Sequence, residues 1–478
     1  MEMTDDHIGW TQTEIINDDK SDRKTYDNIQ NIVKESVSST KNQCNDGIDE
    51  FAKNAIKNEY YEFVEAKHAV KYIEYCAKHL KHIVDQNSAK PKDYDKWTDK
   101  EQCEHMLNNI KTYVPNVPDS LLFFIPAVFR RGDCGNSTDK PLWLDMEKFQ
   151  RGQKFARDHI FSLFIANALS LFMLFTSIDG LKTLIFTQKS HTPYLAFKRY
   201  LSSSCRERIW MTGNPWIKGT RAYNDIQIVR RMHRAVRLKL CEQNPEKFDR
   251  ATKIRNPWCP SKKTILKDLS SLIVENDFLH LAPKFTGLNQ ADMASTQFAF
   301  MGIILLYPHQ FGIYASDEDM EAFCHTWKGI GYLLGIEDQY NFCNGSLKEI
   351  KQRSHDFVEF WLKFYLREVT PEWEHMLRCI TESMNYLYGN NFTFEMLLLF
   401  VTDLLNIDMP RLRSMLTYFQ RFNLMVLRFI LRYAMKLRFV KEFLNKIVHE
   451  TLDEAVKYGP EKHETFKKRS EKVLNENR

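Results

Sequence analysis

IQIVRRMHRAVRLKL, residues 226–240, carries apolar side chains at alternating steps of three and four. Ile226, Val229, Val236 and Leu240 fall on one stripe, and His233 stands on that stripe where a hydrophobic residue is expected. The spacing predicts a helix over 223–241. NPWIKGTRAYND before it supplies turn chemistry, with Asn224 or Asp225 as N-cap. Arginines flank the stripe at 230, 231, 234 and 237; Arg230, three residues before His233, and Arg237, four after, share its side of the helix.

The same spacing recurs along most of the chain. Helices are expected at 145–176, 179–188, 193–210, 262–278, 289–306, 317–334, 347–367, 371–387, 393–406 and 411–457. Alternating apolar–polar segments are nearly absent, and 17 Gly and 15 Pro are few turn residues for a many-stranded fold. The expected class is all-α: one large helical domain. Residues 1–50 read as a flexible polar tail, 51–112 as an N-terminal helical extension and 113–350 as the main helical domain. Helices over 351–460 would pack on that core, and 461–478 is a charged tail.

Basic and acidic residues are interleaved and the formal net charge is only +5, which gives no electrostatic case for nucleic acid. The ten cysteines stand singly, with no C-x-x-C, against a zinc ribbon or thioredoxin-type site. The N-terminus lacks a basic segment and an apolar run, so no secretory signal is read and a cytoplasmic setting with free thiols is expected. HIFSLFIANALSLFMLF, 159–175, is nearly as long as the ~20 apolar residues a bilayer span needs. It is read first as a buried core helix and second as a membrane-associated one. The stretch from Asn423, NLMVLRFILRYAMKLRFVKEFL, is basic and amphipathic, able to lie on an anionic membrane surface or to pack on the domain.

A neutral imidazole ligates metals, and guanidiniums hold carboxylates in bidentate fashion. Haem needs both: an axial ligand for its iron and cations for its two propionates. On spacing alone, a core histidine bonded to an ordinary partner is the alternative.

Six stretches, in order, resemble the oxygenase family that includes bacterial latex-clearing protein (rubber oxygenase) and the endoplasmic-reticulum-bound fungal oxygenase of mycophenolic acid synthesis. They are LDMEKFQRGQKFARDHI, LFTSIDGLKTLIFTQK, FKRYLSSS, VRRMHRAVRLKL, LNQADMASTQFAF and MEAFCHTWKGIGYLLGIED, together covering roughly 145–340. The resemblance implies a helical, globin-like fold holding one haem b, with His233 as proximal iron ligand and Arg230 and Arg237 matching the family's flanking arginines. Arg199 and Ser203 match an Arg-x-x-x-Thr segment close to the haem, with Ser in place of Thr; Ser202 stands where the rubber-cleaving enzymes carry a lysine. Asp179 is the acidic residue nearest the family's proposed base, though an N-cap role suits it equally.

The activity so implied is use of dioxygen on a hydrophobic, isoprenoid-type alkene. Two other functions stay open: a haem- or gas-binding protein without turnover, and a membrane-associated helical protein. His280, His309 and His325 are read as structural, Asp292 as a cap or salt bridge at a helix start, and Trp327 with Gly331 and Gly335 as close helix packing. G-x-S-x-G, Walker A and G-x-G-x-x-G motifs are absent.

Overall fold

The computed structural model describes residues 87–477, apart from 129, 242, 271 and 273–287, together with 74, 77, 81 and 83–85. The polar stretch 1–50, much of the extension expected at 51–112, His280 and the second half of the helix expected at 262–278 lie outside the described residues.

The helices of eight residues or more open with α1 (Asp99–Asn108), α2 (Met146–Asp158), α3 (Ile160–Leu174), α4 (Ile178–Phe186) and α5 (Pro193–Thr212). Next come α6 (Arg221–Cys241), α7 (Lys262–Leu269), α8 (Gln290–Leu306), α9 (Asp317–Leu333) and α10 (Leu347–Asp356). The chain closes with α11 (Pro371–Tyr388), α12 (Phe394–Leu404), α13 (Tyr418–Arg432), α14 (Arg438–Val456) and α15 (Pro460–Glu476). No strand forms among the described residues; one isolated bridge pairs Arg131 with Asn289. The protein is all-α.

Local chemistry sets the helix starts. Asp145, Thr192, Ser316, Thr370 and Thr393 each accept a backbone N–H as N-cap of α2, α5, α9, α11 and α12. Reciprocal capping boxes start α8 (Asn289 with Asp292), α10 (Ser346 with Glu349) and α13 (Thr417 with Gln420). Asn289 is thus the cap of α8, and Asp292, expected as a cap or salt bridge at this helix start, takes part as its reciprocal partner.

The helix expected over 145–176 is two helices, which meet at His159 with a bend of 85°. Asn445, from α14, spans the break. Its Nδ2 donates to Asp158 O (2.8 Å) and its Oδ1 accepts from Phe161 N (3.1 Å), satisfying backbone groups that the bend leaves without helical partners. Similarly, 411–457 divides into Pro410–Met415, α13 and α14.

α2 lies against α9, α3 against α8 and α12, and α5 between α6 and α11. The α2–α9 approach is close: a Cβ at Gly152 would stand 2.1 Å from Ala322 O. One hydrophobic core runs from Val84 to Leu431, and a smaller one joins α5 and α11 to α14 and α15 through Phe197, Tyr386 and Phe466. α3 sits within the larger core with Ile165, Leu169 and Phe172 almost fully buried. No described helix is by itself long and apolar enough to cross a membrane; α3 passes that test only together with α2, across their bend.

Candidate functional site

α6 is docked on α5 through Asp225, which takes hydrogen bonds from Arg206 and from Trp210 Nε1 (2.8 Å). Asp225 is thus a cross-helix anchor, and the expected N-cap role at Asn224 or Asp225 falls to Thr220, whose hydroxyl accepts from Tyr223 N at 3.2 Å. Two turns further along α6 stands His233. Its Nδ1 is buried without a hydrogen-bond partner, and no described residue bonds to the ring. The residue as a whole is partly buried and keeps some accessible surface. Burial, and then the nearby cations Arg199 and Arg237, push its pKa down to about 4. At neutral pH the imidazole is uncharged, the form that ligates metals.

On α5, Tyr200, Ser203 and Glu207 stand at steps of three and four, hence on one stripe. Tyr200 and Glu207 are partly buried. Ser203 lies between them and is exposed, its hydroxyl turned back to donate to Arg199 O at 3.1 Å. Glu207 accepts from Asn167 Nδ2 of α3 at 2.9 and 3.2 Å, and burial pushes its carboxyl up to about 7. Arg199 donates over 3.4 Å to the hydroxyls of Thr187 and Ser190.

The two arginines of α6 are placed differently. Arg230 is committed to the 133–136 loop: Nε and Nη2 donate to Asp133 at 3.0 and 2.6 Å, and Nη2 also reaches Asn136 Oδ1 at 2.8 Å. Burial alone would raise the Asp133 carboxyl, but the Arg230 bonds hold it below the usual range. Gly335, at φ +95°, makes room for this pair, since a Cβ there would stand 2.6 Å from Asp133 Oδ1. Arg230 therefore anchors a loop behind His233 and does not present an open cation, as its flanking position had suggested. Arg237 is buried and lies within electrostatic reach of both His233 and Asp133.

Asp179 occupies the first turn of α4, whose N-cap is Ser177 (Oγ accepting from Gly180 N), so the capping role weighed for Asp179 is not the one it plays. It belongs to a second polar group with Asp292 and Tyr365. Burial, helped by the charge of Asp179, pushes Asp292 up to about 7 and Tyr365 well above its ordinary value. His233, Arg199 and Arg237 are thus brought together; Ser203 lies on the neighbouring stripe, and Asp179 stands with different partners.

Glu207 and Asn167 were not singled out from sequence. The signal for Asn167 was present: it is the one amide in the apolar run 159–175. Glu207, in a charged Arg-Glu-Arg context, reads as surface. Among the described residues no cluster of three or more His, Cys, Asp or Glu is arranged to hold a metal ion. A lone neutral imidazole with buried cations beside it fits a metal that brings its other ligands and its own carboxylates, which is the donor set of haem. Of the predicted residues, His233, Arg199 and Arg237 have the donor types that group would take.

No family model and no curated protein matches this chain. Among solved structures it is similar to latex clearing protein in its closed state, with 15% sequence identity and a TM-score of 0.45, over 73% of this chain and 88% of that one.

Proposed function

We propose that this chain is a haem b-dependent oxygenase in which His233 is the proximal iron ligand and dioxygen is used on a hydrophobic alkene of isoprenoid type. One observation carries this: an imidazole kept neutral, whose buried Nδ1 lacks a partner, with Arg199 and Arg237 within electrostatic reach. The six sequence stretches that resemble the oxygenase family support it. When bound, haem supplies an iron that takes up dioxygen.

The chain's own residues do the rest. Arg199 and Arg237 would hold the propionates, and Arg230, through Asp133, fixes the 133–136 loop against α6. Met232 of α6 and Tyr200 of α5, which pack against the main core, would help to exclude water from an apolar substrate. A proton leaving an allylic carbon needs an acceptor with a pKa near neutrality. Asp179 is the acceptor taken from the resemblance; Glu207, pushed up to about 7 and steadied by Asn167, is a second.

Oxygen uptake by the haem-loaded protein with an isoprenoid alkene tests this function. Uptake with product formation is expected, and substitution of the true acceptor, Asp179→Asn or Glu207→Gln, is expected to slow it by about 10²-fold or more. A coloured, haem-loaded protein that consumes no oxygen with any such alkene would instead be a binding module.

A further inference from the structure

α13 has two apolar faces. One, with Leu424, Leu427 and Leu431, is buried in the core; the other, with Tyr418, Phe422, Met425 and Phe429, is between 56% and 90% exposed. The exposed face continues through Tyr433 and Leu437 to Phe439 and Phe443 at the start of α14. Of the thirteen large hydrophobic side chains exposed among the described residues, ten lie between Met415 and Phe443. Phe429 and Tyr433 pack ring to ring at 5.7 Å, and Lys436 bridges Tyr433 and Tyr314 from 5.7 and 5.1 Å, so the row is one surface rather than scattered side chains.

Charge on this segment is one-sided. From Arg411 to Lys446 there are nine Lys and Arg and one acidic residue, Glu442, in a chain whose whole formal charge is +5. Arg411 is paired with Asp268, Arg413 and Arg428 with Asp403, Arg438 with Glu442 and Lys446 with Glu450. Arg421 donates to backbone carbonyls, Arg432 to Gln310 and Lys436 lies over rings, so their charges are not cancelled by a described carboxylate. Beside the apolar row opens a groove of about 720 Å³, with Arg413, Arg421, Arg428 and Arg432 around Leu416 and Leu424.

We propose that the outer face of α13 and the start of α14 docks this protein on an anionic phospholipid bilayer. Aromatic and methionine side chains would enter the interface between headgroups and acyl chains, and the cations would meet lipid phosphates, with the arginine-lined groove receiving headgroups. A second copy of the chain is the less favoured occupant, because a self-complementary interface would set the cations that no described carboxylate pairs, Arg421, Arg432 and Lys436 among them, against their own copies. α14 also packs on α3 and on α5, the helix that carries Arg199, so the docking face is built on the same helical frame as the candidate site.

The test is co-sedimentation of the full chain with vesicles of phosphatidylcholine alone and of phosphatidylcholine with phosphatidylserine, together with sedimentation equilibrium without lipid. Recovery with the anionic vesicles is expected, and is lost when salt rises from about 0.1 M to about 1 M, where screening shortens from about 10 Å to about 3 Å. Phe422→Glu with Phe429→Glu, and separately Arg432→Glu with Lys436→Glu, are each expected to weaken binding by about tenfold or more. Because all four side chains are exposed, the thermal transition should not move. Failure to bind either vesicle overturns the proposal, as does binding that neither double substitution weakens. A dimer abolished by Phe422→Glu with Phe429→Glu, without vesicle binding, assigns the face to a second copy.

Discussion

At His233 the burial that keeps the ring neutral also makes a pH signature. The ring has a pKa of 6.5 when unfolded and about 4 when folded, so between those values the unfolded chain binds a proton that the folded one does not. Its contribution is therefore lost as pH falls through that window and is constant above it. Glu207 has the opposite sign: its pKa rises from 4.5 to about 7, so the folded chain holds the extra proton. That contribution is present below 4.5 and is lost as pH climbs toward 7. Glu207→Gln should therefore melt close to wild type at pH ~5 and be more stable at pH ~8, by about 1–3 kcal/mol. An equal difference at both pH values would show that the carboxyl is solvated. The Arg230–Asp133 pair predicts a separate loss. Arg230→Ala leaves a buried carboxylate without its guanidinium and should lower stability in urea unfolding by about 3–5 kcal/mol. A change below about 1 kcal/mol would give the pair the weight of a surface contact.

Among the helices, apolar spacing placed α6, α8, α9 and α11 to within about two residues, although at α6 the cap is Thr220 and not the expected Asn224 or Asp225. It ran through the bend at His159, since an apolar period continues across α2 and α3 although the backbone does not. What makes the bend tolerable, Asn445, comes from 284 positions further along, beyond anything local pattern can register. Asn445→Ala should cost about 1–3 kcal/mol, the usual loss when buried backbone groups lose a partner, with hydrogen exchange rising first around Asp158 and Phe161. Unchanged exchange there would mean that packing of α2 on α9 holds the bend instead. The site divides in the same way. His233 and its arginines are legible because they share one helix, whereas the Asn167–Glu207 contact joins two helices across 40 positions and appears only in three dimensions.

Taken as one molecule, the protein sets a neutral imidazole among its helices with Arg199 and Arg237 within electrostatic reach, the place proposed for haem. Ligand binding to the folded form alone stabilises it by mass action, so haem at about 100 times its Kd should raise stability by about 2.7 kcal/mol in wild type and by less in His233→Ala. The most direct measurement is titration of haem into the purified full chain, followed in the Soret region, for wild type beside His233→Ala. Saturable uptake at one haem per chain by wild type, with the band lost or shifted in the variant, is the predicted result. A wild-type chain that takes up no haem, or a variant whose spectrum and stoichiometry match wild type, would contradict it.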